Sequence, residues 1–228
     1  METRLFKVVK KEENQKSAFW KALVLTVILF LVGVSLGVFI ESLRSKSVRD
    51  QYEELEFQLL DSKLRTSFYQ VMEQDFCDIA IEDNLKFSDM IYEEGKKIEV
   101  YEKFNRLGDK LKDEKRKYAL LKTEFWLNSI ILKNKCKSDY DIIVYFYRDN
   151  PLSDGEKQEQ NVQSKILGDL KEEYGAAIML IPLPIDLGLS VIDSFVILHD
   201  IDVVPAVLIN EDIKLEGVHS LEEIERLI

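Results

Sequence analysis

"VVPAVLINEDIKLEG", residues 203 to 217, sets two apolar runs of strand character on either side of a short turn. Pro205 stands where the first strand should begin. Proline has no N–H to donate and a fixed φ, so inside a sheet it is confined to strand starts, edges and bulges. One use of such a residue is a cis Val204-Pro205 bond in a tight approach to a strand. "AVLIN" (206–210) and "IKLEG" (213–217) then read as a strand pair joined through Glu211-Asp212.

Upstream, the segments alternate in period. "DYDIIVYFYRD" (139–149) is β-branched and aromatic, as a buried strand should be. "GEKQEQNVQSKILGDLKEEYG" (155–175) reads as a helix ending at Gly175, and "AAIMLIPLPID" (176–186) as a second apolar strand. "LSVIDSFVILHDID" (189–202) reads as a second helix. Downstream, "SLEEIERLI" (220–228) reads as a helix whose Ser220 and Glu223 match a capping box. The order is therefore β-α-β-α, then proline-β-β-α.

With that order and "VVPAVLIN" entering a strand, residues 139–228 resemble the thioredoxin-like superfamily, over less than half of the chain. Gly217, closing the next strand, and the final capped helix also fit. The resemblance implies an α/β domain with a cis-proline loop beside its active site. In that family the loop after the first strand carries Cys-x-x-Cys, with a thiol activated at a helix N-terminus. Here the equivalent window, "RDNPLSDGEKQ" (148–158), has no cysteine. Pro151, Ser153 and Asp154 fill it instead, and a serine cannot cycle between dithiol and disulfide. The resemblance thus implies a redox-inactive domain, without cofactor, and an enzyme is not the expected reading. The groove is what survives the loss. Val204, ahead of Pro205, could pair with an extended peptide through its main chain, or Val204-Pro205 could be purely structural.

The amino-terminal part belongs to another class. "ALVLTVILFLVGVSLGVFI" (22–40) runs nineteen residues without a charge, roughly 28 Å as a helix, close to a bilayer core. Trp20 and Lys21 suit the interface at its front edge. A cleaved signal peptide usually has a shorter apolar region and a small-residue cleavage site, so an uncleaved anchor is expected. Six basic residues precede the span and Arg44, Lys46 and Arg49 follow it. That bias places residues 1–21 in the cytoplasm and the body outside it. Gly33 and Gly37 form a G-x-x-x-G, a candidate seam for a second copy or simply part of a lipid-facing span.

Net charge is −11, with the basic excess confined to residues 1–21 and an acidic remainder. An acidic body without a basic, aromatic-interleaved stripe excludes nucleic acid as the expected partner. A membrane and a protein or peptide remain.

Between span and strand, residues 42–135 lack proline and are rich in Glu, Lys, Leu and aromatics, the composition of a helical stalk or hairpin. Tyr52, Leu55, Leu59, Leu64, Phe68, Val71 and Phe76 form one apolar stripe, expected to face a bundle core. A second helix is expected over 85–107, with Met90, Ile91, Ile98, Tyr101 and Phe104 inward. Gly108 would end it and Asp109 would cap a third, which turns Tyr118, Leu121, Phe125 and Trp126 to a partner surface.

Cys77 and Cys136 are the only cysteines. Outside the cytoplasm an even pair suggests a structural disulfide. Two free thiols, or an exchanging pair making the protein a thiol-disulfide oxidoreductase, stay open. A third functional class is a structural tether that pairs through its helices. His199 and His219 have no metal-ligand spacing, and no metal site is expected. His199, ending a helix, would suit the dipole as a cation.

Overall fold

The computed structural model describes the backbone of residues 2–72, 76–103 and 109–228, and the side chains of 19–39, 56–72, 76–103 and 111–228. It divides into two units, 1–54 and 55–228.

In the first unit, helix α1 (Glu2–Val71, which runs on into the second) carries one stretch long and apolar enough to cross a membrane, Phe19–Phe39. Its side chains from Phe19 to Phe39 are all exposed. Thr26 loses no hydrogen bond there, because its hydroxyl donates to the Ala22 carbonyl one turn back at 2.9 Å. Gly33 and Gly37 have open space where a Cβ would stand.

The second unit is built on a four-stranded mixed sheet. Strands β1 (Asp141–Tyr147), β2 (Ile178–Pro184), β3 (Ala206–Ile209) and β4 (Ile213–Glu216) lie in the order β2-β1-β3-β4. β1 and β2 are parallel, and β1–β3 and β3–β4 are antiparallel. Helix α4 (Asp154–Tyr174) crosses from β1 to β2, and α5 (Ser190–Leu198) leads from β2 to β3. The short α6 (Leu221–Glu225) ends the chain with the expected Ser220–Glu223 capping box.

Alternation along β1 explains the layers. Ile142, Val144 and Phe146 face one core, with Leu189 and Ile192 from α5's end of the chain. Ile143 and Tyr145 face the other, against Leu167 and Leu170 of α4 and Ile224 of α6.

Two more helices, α2 (Cys77–Lys103) and α3 (Asp109–Cys136), precede the sheet. The surface that receives Leu121, Phe125 and Trp126 is the sheet itself, since all three share the core of Ile142, Val144 and Phe146. Trp126 is wholly buried, 6.1 Å from Phe146 and 4.3 Å from Phe195 between ring centroids. The boundary expected between 135 and 139 thus falls within one compact unit. Helix α2 begins at Cys77, earlier than expected, and buries Ile91 and Ile98 as expected. Phe104, Leu107 and Gly108, and the side chains of Tyr52, Leu55 and Asp109, lie outside the described residues.

The apolar stripe expected to be core is corrected in part: Phe76 is buried and Leu59 packs against the core, but the members between them turn outward. Leu64, Phe68 and Val71 are exposed, and so are Phe57 and Leu60. Besides Leu59 and Tyr69, the inward face of α1 is small and polar. Thr66 Oγ1 lies 2.6 Å from Glu124 Oε1 and also meets Asn128, whose amide donates to Ser62 at 3.3 Å. Tyr69 donates to Asp83 at 2.8 Å, and burial together with that bond pushes its pKa up to about 12. Paired polar groups can be buried at little net cost, so hydrophobic period alone did not select the inward face.

Candidate functional site

The loops leaving the C-terminal ends of β1 and β2, and the loop entering β3, gather at one end of the sheet. Phe146 pairs with Ala206, so Pro205 enters beside Tyr147, four residues before Pro151 along the chain. Crevices at the carboxyl ends of strands are where open α/β sheets bind ligands.

The Val204-Pro205 bond is cis. Two contacts fix the chain around it. Glu216 Oε1 accepts from the Asp202 and Val203 N–H groups at 2.8 and 3.3 Å, and the first of these bonds holds its carboxyl below the usual range. The Gly217 N–H donates to the Pro205 carbonyl at 2.8 Å. Gly217 has φ +85°, a value that favours glycine. Among the described residues, the Val204 N–H and C=O take no hydrogen bond. The Val204 and Pro205 side chains are buried, whereas Val203 is 52% exposed.

The window without cysteine is occupied by a helix start. Ser153 is the N-cap of α4, accepting from the Glu156 N–H at 3.1 Å, and Glu156 Oε2 accepts from the Leu152 N–H at 2.7 Å. Asp154 is an acid in the first turn, where the dipole favours it. Both residues therefore serve α4 first. Asp186, after β2, ties down the loop by accepting from the Asp149 and Asn150 N–H groups at 2.7 and 2.9 Å. Leu152 stands 78% exposed at this end.

The opposite end of the sheet is closed by side chains. Asn210 and Glu211, in the β3–β4 turn, have φ of +51° and +61° without being glycine. Both are held there. Asn210 Oδ1 accepts from Lys133 Nζ and the Ile142 N–H at 2.7 and 3.0 Å, and its Nδ2 donates to Asp141 at 2.7 Å. Trp126 Nε1 donates to Glu211 at 2.8 Å. Just beyond Lys133, Cys136 meets Cys77 at disulfide distance, Sγ to Sγ 2.07 Å and Cα to Cα 5.5 Å. The bridge joins the last residue of α3 to the first of α2. It lies at the Asp141 end of β1, away from Pro205.

His199 caps the C-terminus of α5 as placed, and burial lowers its pKa, which works against the cationic form that would suit the dipole. The His219 ring meets the Glu216 carbonyl at 3.0 Å and Glu223 of the capping box at 3.4 Å. The His219 main-chain N–H donates to Gln163 at 2.7 Å. Among the described residues no three His, Cys, Asp or Glu side chains gather as a metal would require.

Sequence reading missed Lys122. It is 3% exposed and lies on the α3 stripe that carries Tyr118, Leu121 and Phe125, and its position one turn after Tyr118 was the available signal. Comparison with known families finds no family model that matches the chain, and comparison with curated proteins finds no relative.

Proposed function

We propose that this chain is a membrane-anchored, redox-inactive thioredoxin-like protein that holds an extended polypeptide segment, as a non-catalytic assembly or folding factor. The apolar stretch 22–40 would be the anchor, with residues 1–21 cytoplasmic and the remainder outside. One observation carries the binding step. Val204 leaves its main-chain N–H and C=O without partners directly ahead of a cis proline. An extended segment that pairs there gains main-chain hydrogen bonds independent of its sequence. Val203 and Leu152 offer exposed apolar surface at the same end.

The oxidoreductase alternative needs Cys77 and Cys136 beside Pro205. The pair sits at the other end of β1, bonded to each other, which argues against it. The tether alternative has one observation in its favour. Phe57, Leu60, Leu64, Phe68 and Val71, spaced by three and four, are all exposed, the spacing of a helix-pairing stripe. It predicts self-association that Leu64→Glu with Phe68→Glu abolishes.

The binding reading is tested with the full chain in lipid nanodiscs carrying a photo-crosslinking residue at Val203, offered a reduced and alkylated unfolded polypeptide. Adducts should form at 203 and be scarce with the crosslinker at Val162, a comparably exposed valine on α4. Equal adducts at both positions would overturn the reading.

A further inference from the structure

A cavity of about 500 Å³ opens between α2, α3, α4 and the end of β1, a size usual for small-molecule sites. Its wall at β2 is closed to strand addition. β2 is an edge strand, but Pro182 and Pro184, which line the cavity, have no N–H to give. Tyr118, Tyr145 and Tyr147 line the rest with rings. α2 passes Tyr118 at Gly95, where a Cβ would stand 2.5 Å from the Tyr118 hydroxyl. A glycine there keeps the ring against the cavity.

Lys122 points a charge into this wall with no acceptor. Its Nζ lies 4.4 Å from the Tyr118 ring centroid and 5.9 Å from that of Tyr147. Among the described residues no carboxylate or carbonyl bonds to it. Ring faces offset only part of the cost of burying an ammonium. The nearby acids are already engaged, since Lys115 binds Asp149 at 2.6 Å and also Glu102 of α2. Glu99, on α2, is exposed. From the β1 side Arg148 faces Glu156 at 3.1 Å, and Lys157 of α4 is exposed. A buried donor lines the same cavity. Gln160 is 6% exposed, and its Oε1 must accept, because the Arg148 N–H donates to it at 2.6 Å. That fixes Nε2 as a donor, and it has no partner. Gln160 Nε2 is a buried donor without a partner, and Lys122 brings to the same cavity a cation with no hydrogen-bond acceptor; a negatively charged acceptor would answer both.

We propose that this cavity binds a small organic anion through a carboxylate or phosphate group, with Lys122 as its charge partner and the tyrosines against its apolar body. The site is independent of the Val204 groove. Burial lowers the empty-site pKa of Lys122 to about 7, with Asp149 opposing weakly. An anion raises it again, so binding takes up a proton, and affinity is full below pH 7 and falls as pH rises above it. Tyr118, Tyr145 and Tyr147 are shifted upward by burial and stay neutral throughout this range.

The test uses the full chain in nanodiscs with 4-hydroxybenzoate and inorganic phosphate as separate probes, read by calorimetry in two buffers of different ionisation enthalpy. At least one probe should bind at pH 6.5 with proton uptake, at least tenfold more weakly at pH 9 and at least tenfold more weakly in Lys122→Met. Which probe binds distinguishes an aromatic carboxylate from a phosphate ligand. The Lys122 Cε resonance of the unaltered protein, labelled with ¹³C-lysine, should show its titration move upward by a pH unit or more when the probe is bound. That readout stands even where the variant fails to fold. Failure of both probes to bind, binding unchanged in Lys122→Met, or an unmoved Lys122 titration would overturn the proposal.

Discussion

The two ends of the sheet are built on opposite principles. At the Asp141 end, side chains from α3 consume what the backbone offers. Lys133, Asp141 and Asn210 bond one another, Trp126 holds Glu211, and the Cys77–Cys136 bridge closes α2 onto α3 nearby. At the Pro205 end, groups are left over. Val204 keeps an unused N–H and C=O, Val203 and Leu152 are exposed, and the cavity holds an unpartnered Lys122. Native proteins leave few buried polar groups without partners. Both binding proposals rest on this contrast, and it can be broken by showing that the ends do not separate stability from binding.

The largest effect is expected at the bridge. Cys77→Ser with Cys136→Ser opens a loop of 59 residues, worth roughly 4 kcal/mol on the chain-entropy view. Urea unfolding of the full chain, followed by Trp126 in a Trp20→Phe background, measures it. Crosslinking at Val203 should persist in the folded population, and its loss there would join the two ends.

Lys122 comes next, with a sign that distinguishes the ends. Its pKa is about 7 folded against 10.5 unfolded, so between those values the unfolded chain binds more protons. Stability without ligand should therefore rise from pH 7 towards pH 10, by at most about 1.4 kcal/mol per pH unit. Lys122→Met should remove that slope and stabilise the protein at pH 7 by about 1–3 kcal/mol. Destabilisation of that size instead would mean Lys122 belongs to the structural half of the comparison.

Asn210→Ala removes three side-chain bonds and places alanine at positive φ. About 2 kcal/mol should be lost in the same unfolding measurement. Smallest of all, Val203→Asp should leave stability within about 0.5 kcal/mol while weakening polypeptide binding. Equal loss of both would show Val203 to be a packing residue.

Much of this fold was legible because its elements announce themselves locally. Strands β1 to β4, the Ser220 cap and the glycine at the end of α4 each follow from residues within a few positions. The cysteine pairing was an open choice, since spacing alone does not say which helix ends meet. The inward face of α1 was illegible for a different reason. Ser62 and Thr66 are buried because Glu124 and Asn128, some sixty residues away, supply partners, while Leu64 and Phe68 stay outside. Lys122, within "KYALLKTEFW" (117–126), was passed over; its spacing from Tyr118 places it on the inward stripe, but its burial depends on α2 and β1. At the candidate site, Pro205 was readable, but Ser153 and Asp154 turned out to be engaged in starting α4.

The most direct measurement is amide hydrogen exchange at Val204 in the full chain in nanodiscs, with and without the unfolded polypeptide. Binding through the Pro205 end requires the free Val204 N–H to slow at least tenfold on addition, with Ile142 and Ile209 unchanged. A polypeptide that binds while Val204 exchanges as before would contradict it.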